Sequence, residues 1–334
     1  MKTIAIAAGG DSSEFEISVK SAREVEKVLS GRYRTYIILM KDTTWYWEDP
    51  RGRVHSVDKN SFTLKIDDEF VRFDAVFIAI HGTPGENGLL QGYLDMIRIP
   101  YTSCNPFCSS LTFNKQACKL YLKEYGVPMA RNILVRKARP FDPEVIAGTA
   151  GLPCFVKPND SGSSFGVSKV NNISELVPAI NKAFSESDEV MIESYMKGRE
   201  VACGIVKAGN KTIILPVTEI ISKNEFFDYE AKYTPGKSEE ITPADLPSHV
   251  TASIQELSSE IYDHLGCKGI VRVDFIVIGE KPFFLEINTV PGMTRESIIP
   301  KQAEAAGIDL ADLYSMVIER SEERRVGKEC RSRW

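Results

Sequence analysis

Apolar positions in this chain fall into two recurring patterns, short unbroken runs and longer stretches at helical spacing. Ile4-Ala-Ile-Ala-Ala8 is an unbroken run that ends at Gly9-Gly10. Ile17, Ala22, Val25, Val28 and Leu29 then recur at helical intervals. Runs at Tyr36–Met40, Asp74–Ile80, Leu152–Lys157, Glu189–Glu193 and Val201–Lys207 predict further strands, and Ile99–Thr102 a short one. Helical spacing predicts helices over Gly88–Met96, Asn114–Tyr125, Ser174–Ser185, Ser248–Leu265 and Ile308–Ile318. Thr44–Trp47 and Arg53–Val57 read as an exposed hairpin. Strands followed by helices imply an α/β chain with some α+β mixing, opening on a strand–turn–helix unit.

The most informative alternation lies near the C-terminus. Gly269–Ile278 and Pro282–Asn288 flank the turn Gly279-Glu280-Lys281, which predicts a β-hairpin. Arg272 and Asp274 are two apart and share one face, as do Glu286 and Asn288. Pairing the strands can gather Asp274, Glu286 and Asn288, an oxygen donor set of the kind Mg²⁺ accepts beside phosphates. Arg272 adds a fixed cation to that face. An edge hairpin with one solvated face would alternate in the same way. Pro291-Gly292 directly after the hairpin tips the reading toward a site, because a rigid turn followed by Gly lets a backbone N–H approach a ligand.

Length and charge then narrow the class. A chain of 334 residues suggests two or three domains. A formal net charge of -5 gives no reason to expect a nucleic acid or an anionic membrane as partner. No run reaches the length of a membrane span, and a cytoplasmic location is expected. Seven dispersed Cys fit reduced thiols better than a disulfide frame. Cys104 and Cys108 are four apart, an unusual spacing for a metal site.

Several loops carry candidate chemistry. Gly9-Gly-Asp-Ser-Ser-Glu14 lacks the spacing of a dinucleotide-binding turn, which excludes NAD. His81-Gly82 and Gly85-Glu86-Asn87-Gly88 follow a buried strand, where α/β proteins place ligands, although a lone His often just caps its loop. Lys157 precedes the small-residue loop Ser161–Gly166, whose bare N–H groups suit phosphate although it is not a Walker loop. Phe226–Gly236 breaks the strand and helix patterns and reads either as a closing lid carrying Lys232 and Tyr233 or as an ordinary surface loop. Ser321–Trp334 is densely charged without an amphipathic pattern; it is expected to be disordered, outside the fold and non-native to the frame.

Taken in order, these motifs resemble the D-alanine–D-alanine ligases of the ATP-grasp superfamily. The resemblance runs from Met1 to about Glu319 and includes Asp228-Tyr-Glu-Ala-Lys-Tyr233 and Glu286-Ile-Asn-Thr-Val-Pro-Gly-Met-Thr294. It implies a three-domain fold: a Rossmann-like pre-ATP-grasp domain (1–103), a central ATP-grasp subdomain (104–195) and a C-terminal ATP-grasp subdomain (196–320). It implies ATP contacts at Lys115, Lys157, Ser164, Glu193, Met196, Glu200 and Lys232. Two Mg²⁺ (or Mn²⁺) are implied at Asp274, Glu286 and Asn288. Glu14, Ser163, Tyr233, Arg272 and Gly292 take catalytic places, and His81, Ser297 and Ile298 meet D-alanine. The implied reaction joins two D-alanines through an acyl phosphate, for peptidoglycan precursors, in a homodimer. Ser194 stands where many relatives of this family carry Lys, and Glu296 where some carry His. Alternatives are a D-alanine–D-lactate (depsipeptide) ligase, another ATP-grasp carboxylate–amine ligase, and a non-catalytic nucleotide-binding regulator.

Overall fold

The computed structural model describes residues 1–160, 162, 165–209, 211–222 and 238–331. The N-terminal part runs β1 (Thr3–Gly9), α1 (Phe15–Leu29), β2 (Arg34–Lys41), β3 (Thr44–Glu48), β4 (Val54–Asp58), β5 (Thr63–Ile66), β6 (Glu69–Arg72), β7 (Ala75–Ile78) and α2 (Leu89–Met96). Its sheet has the order β6-β5-β4-β3-β2-β1-β7. β1 pairs in parallel with β2 and β7, so the apolar run Ile4–Ala8 of β1 lies inside the sheet. The expected hairpin at β3 and β4 is an extension of this sheet rather than a separate flap.

α3 (Pro106–Phe113) and α4 (Lys115–Lys123) follow. The central part is β8 (Asn132–Arg136), α5 (Pro143–Ala150), β9 (Cys154–Pro158), β10 (Ser168–Val170), α6 (Ile173–Ala183) and β11 (Glu189–Ser194), an antiparallel sheet ordered β10-β9-β11-β8. The last part holds β12 (Arg199–Ala208), β13 (Lys211–Ile214), β14 (Thr218–Ser222), β15 (Ser238–Ile241), α7 (Ser248–His264), β16 (Gly269–Ile278), β17 (Lys281–Asn288), α8 (Ile298–Ala305) and α9 (Leu310–Arg331). Its sheet is ordered β15-β14-β12-β16-β17, with β13 on β12.

Two packing results cut across the domain limits expected from sequence. First, α3 and α4, with Cys104 just ahead of them, give Cys104, Cys108, Cys118 and Leu122 to a core shared with Val201, Val271, Val273 and Phe275 of the C-terminal sheet. They precede the central sheet in the chain but lie on its neighbour. Second, the N-terminal sheet is not closed by its own residues: Leu313, Tyr314, Val317 and Ile318 of α9 pack with Ile4, Ile6, Val25 and Phe77. Tyr314 is fully buried, with its ring 5.4 Å from that of Phe77, edge to face.

Residues 321–334, expected to be disordered, are described as far as Arg331. The α9 backbone stays helical through Arg331. Glu, Arg and Lys are good helix formers and no Pro interrupts residues 310–331, so a segment without an apolar stripe still extends a helix already anchored in the core.

Candidate active site

The hairpin β16–β17 forms as the alternation requires. Val271, Val273, Phe275 and Val277 point into the core, and each is 2% exposed or less. Arg272 and Asp274 therefore face the other way. Arg272 lies opposite Asn288, and Asp274 opposite Glu286. The Arg272 fork donates from Nε to Asp274 Oδ1 and from Nη2 to Oδ2, both at 2.7 Å. Asn288 Nδ2 donates to the same Oδ2 at 3.1 Å. Burial opposes the Arg272 charge, but Asp274, Glu286 and Glu240 outweigh it and hold the guanidinium above its ordinary pKa.

The register slips by one residue after Asp274. Leu285 is the extra residue, so Phe284 and Glu286 face opposite sides although they are two apart. Phe284 enters the core while Glu286 stays with Asp274. The donor atoms at Asp274, Glu286 and Asn288 are oxygens, or can be through the Asn288 carbonyl, and this hard set fits a Mg²⁺-class ion.

The turn after the hairpin meets the N-terminal part. His81 Nδ1 lies 2.9 Å from the Val290 carbonyl, and Nε2 lies 3.2 Å from Ser21 Oγ. Nδ1 therefore carries the proton and Nε2 accepts from the hydroxyl. Burial lowers the His81 pKa against the pull of Glu14, which keeps the ring neutral. With both nitrogens engaged by protein, His81 ties two parts of the chain together. Ser21 Oγ also accepts from Met293 N–H at 3.4 Å. Glu86 accepts from Gly82 N–H at 2.7 Å, and burial, helped by Glu14, pushes its carboxyl up to about 8.

Glu14 is buried against Gly162, where an added Cβ would overlap the Glu14 carboxylate and displace it. Gly292 is held likewise: a Cβ there would lie 2.7 Å from Ser297 Oγ. Ser297 is the N-cap residue of α8, and its Oγ lies 2.8 Å from Thr294 Oγ1. Ile298 opens the helix, so its N–H belongs to a helix N-terminus, which favours an anion.

On the central sheet, Lys157 and Glu193 share the face opposite Val156 and Ile192, which fill the core beneath. Lys157 Nζ donates to Glu193 Oε2 at 2.5 Å. Glu193 Oε1 lies 2.6 Å from Lys119 Nζ. Burial alone would raise the Glu193 pKa, but Lys119 and Lys157 overcome it and keep the carboxylate ionised. Lys115 starts α4, which is capped by Asn114 and held by Asn159: Lys115 N–H donates to the Asn159 carbonyl at 3.1 Å and Gln116 N–H to its side chain at 2.9 Å. Met196 and Glu200 lie where β11 of the central sheet passes into β12 of the C-terminal one.

Comparisons with known proteins decide which family built this site. Models of the "D-ala D-ala ligase N-terminus" and "D-ala D-ala ligase C-terminus" match residues 3–104 and 121–319. The chain belongs to the D-alanine–D-alanine ligase family. It is similar to a D-alanine–D-alanine ligase of Phocaeicola vulgatus, 49% identical over 95% of this chain and 98% of the relative. Among solved structures it is similar to the VanG D-Ala:D-Ser ligase of Enterococcus faecalis, with a TM-score of 0.84, 29% identity, and 96% and 99% of the two chains covered. It is similar also to a D-alanine–D-alanine ligase of Bacillus anthracis complexed with ATP, with a TM-score of 0.79, 29% identity, and 98% and 100% covered.

Within this ligase the fold pairs Lys157 with Glu193 on the central sheet, gathers Arg272, Asp274, Glu286 and Asn288 on one face of β16–β17 with His81 and Glu14 beside it, and sets Gly292 against Ser297, while Lys115 opens α4. Ser163, Ser164, Lys232 and Tyr233 lie outside the described residues, as does the expected lid. Sequence reasoning passed over Lys119, Asn159 and Ser21. Lys119 lies one helical turn after Lys115, a spacing that could have flagged it. Asn159 and Ser21 gave no signal, because their partners are distant in sequence. Cys104, Cys108 and Cys267 gather their sulfurs within 4.8 Å. Sulfur contacts inside this cluster, together with burial, raise the thiols of Cys108 and Cys267, so both stay protonated as packing groups.

Proposed function

We infer that this chain is the ATP-dependent ligase that joins two D-alanines into D-alanyl-D-alanine for peptidoglycan precursors, releasing ADP and phosphate. The observation that carries the reading is the single face of β16 and β17, where Arg272 and Asp274 stand directly across from Asn288 and Glu286. ATP would lie between the central and C-terminal sheets, with Lys115 and Lys157 on its phosphates and Glu193, Met196 and Glu200 around adenine and ribose. Ser164 and Lys232 would add phosphate contacts.

The first D-alanine would place its ammonium by Glu14 and its carboxylate toward the γ-phosphate. That carboxylate displaces ADP and becomes an acyl phosphate. Arg272 is a fixed, desolvated cation beside the transfer, which stabilises developing charge without reorganising. Asp274, Glu286 and Asn288 would hold two Mg²⁺ or Mn²⁺, which when bound neutralise phosphoryl oxygens as Lewis acids. The second D-alanine would set its carboxylate at the α8 N-terminus, on Ser297 Oγ and the Ile298 N–H. Its amine then attacks the acyl carbon, the oxyanion is met by Arg272 and the Gly292 N–H, and phosphate leaves. Ser163 and Tyr233 would join Glu14 in closing the site, because an acyl phosphate is lost if water enters. His81 orients this region through Val290 and Ser21. The same reading places the enzyme in the cytoplasm as a homodimer.

ADP release with Mg-ATP and D-alanine, with the product identified by mass, tests the reading. Parallel reactions contain L-alanine, or D-alanine with D-lactate or D-serine. D-Alanyl-D-alanine with L-alanine inert is expected. A depsipeptide or a D-alanyl-D-serine product would move the second-site assignment, and ATP binding without any product would refute ligation.

A further inference from the structure

Lys119 is a buried cation that no step above uses. It is 2% exposed and lies one turn after Lys115 on α4. Its Nζ is 2.6 Å from Glu193 Oε1 and 3.4 Å from the Phe284 carbonyl, and it sits 5.3 Å from the centre of the Phe284 ring. Glu193 belongs to the central sheet. Phe284 belongs to β17, two residues before Glu286. One ammonium therefore connects the strand that carries the adenine-side carboxylate to the strand that carries the metal-side carboxylate. Helix α4, from which it projects, packs in the core of the C-terminal sheet.

The charges around Glu193 do not balance. Lys119 takes one carboxylate oxygen and Lys157 takes the other, at 2.5 Å. Among the described residues two lysines share this one carboxylate, which leaves a surplus of one positive charge in a desolvated place; burial and Lys157 accordingly lower the Lys119 pKa against the pull of Glu193. Such a surplus is costly until an anion arrives. If Lys119 were neutral, Lys157 and Glu193 would form a closed pair, and a phosphate would have to break it.

We propose that Lys119 is a positioning residue for ATP: it retains Glu193 through Oε1, so that Lys157 is released from Oε2 to the phosphates when the nucleotide binds. Glu193 is then never left unpaired, and its position relative to β17 is held through the Phe284 carbonyl. This inference rests on the reading that the phosphates of ATP meet Lys157.

The experiment compares binding of a non-hydrolysable ATP analogue and steady-state kinetics for the wild type, Lys119→Met and Lys119→Arg, with thermal unfolding as the check on folding. Lys119→Met keeps Glu193 paired with Lys157 and should fold. Its affinity for the analogue and its KM for ATP are expected to worsen by roughly ten- to hundredfold, the span of one charge-assisted hydrogen bond. Its KM for D-alanine should not change, and kcat at saturating ATP should fall much less than ATP affinity does. Lys119→Arg should recover most of the loss, since it restores the cation. A merely structural lysine would move the unfolding midpoint without this split. Wild-type-like ATP affinity in a folded Lys119→Met protein would overturn the inference alone. Failure of the wild type to bind the analogue would overturn the reading of the site as well. A crystal structure of the wild type with the analogue decides the matter independently of any variant. Lys157 on phosphate with Lys119 still on Glu193 supports the exchange, and Lys157 still on Glu193 refutes it.

Discussion

Two side chains carry most of the testable chemistry at the residue scale. Arg272 holds Asp274 with both arms of its fork and faces Glu286, so it does more than supply charge. Arg272→Ala is expected to lower kcat by about 10²–10³-fold, the loss seen when a preorganised charge stabiliser is removed, while ATP still binds. Arg272→Lys keeps the charge but not the bidentate geometry and should fall between. Near-normal turnover in Arg272→Ala would remove it from the chemistry. Glu86 offers a pH test. Its carboxyl is raised from about 4.5 to about 8, so the protonated form is the one the folded state favours. Its contribution is complete below the ordinary value and is lost as the pH climbs toward 8. Glu86→Gln should therefore gain stability relative to wild type as the pH rises between those limits, followed by urea midpoints across the range. A gap that does not change with pH would refute the shift. Arg272, Asp274, Glu286 and Asn288 were legible in the sequence because alternate residues of a strand share a face. Lys119, Ser21 and Asn159 were not, because their partners are supplied by tertiary contacts 74, 60 and 30 residues away in the chain.

Elements with a strong period were legible, and those defined by their ends or by their partners were not. The apolar run of β1, the amphipathic α1 and the hairpin β16–β17 all follow from pattern. α3 went unpredicted because it lacks a clean stripe, although Asn105 caps it and Pro106 starts it, with Asn105 Oδ1 accepting from Cys108 N–H at 2.8 Å. The bulge at Leu285 left one trace, the shared parity of apolar Phe284 with polar Glu286 and Asn288. That α3 and α4 cover the C-terminal sheet could not be read, since their buried residues would suit either sheet. The core beneath the hairpin is a test of this element. Phe275 is fully buried beside Asp274 but on the opposite face. Phe275→Ala is expected to cost about 3–5 kcal/mol, transfer plus cavity. Because the cavity opens directly behind the strand proposed to carry a metal ligand, the midpoint for Mg²⁺ activation should also rise. Denaturant unfolding and a Mg²⁺ titration measure the two effects, and an unchanged stability would mean that the core had refilled around the hairpin.

Across the whole molecule, the C-terminal helix closes a core begun by the first strand. Leu313, Tyr314, Val317 and Ile318 cover Ile4, Ile6 and Phe77, and His81 bonds across to Val290, so the N-terminal part is held to the C-terminal part at two places. The ion pair between Arg32 and Asp312, at 2.6 Å, joins the same surfaces but is exposed and adds little. This closure sets where the helix is needed. The ligase family match ends at residue 319, and Ser321 is buried with its hydroxyl donating to the Ile318 carbonyl at 2.6 Å. Removal of residues 322–334 should therefore leave both the thermal midpoint and D-alanyl-D-alanine synthesis as in the full chain. Removal from Leu313 onward should unfold the N-terminal part and abolish activity, because it deletes four buried apolar side chains at once, each worth about 1.5–3 kcal/mol of burial, and uncovers the residues beneath them. Thermal scans with activity assays on both truncations separate the cases. Loss of folding in the shorter truncation would show that residues 322–334 support the core, and survival of the longer one would show that α9 does not close it.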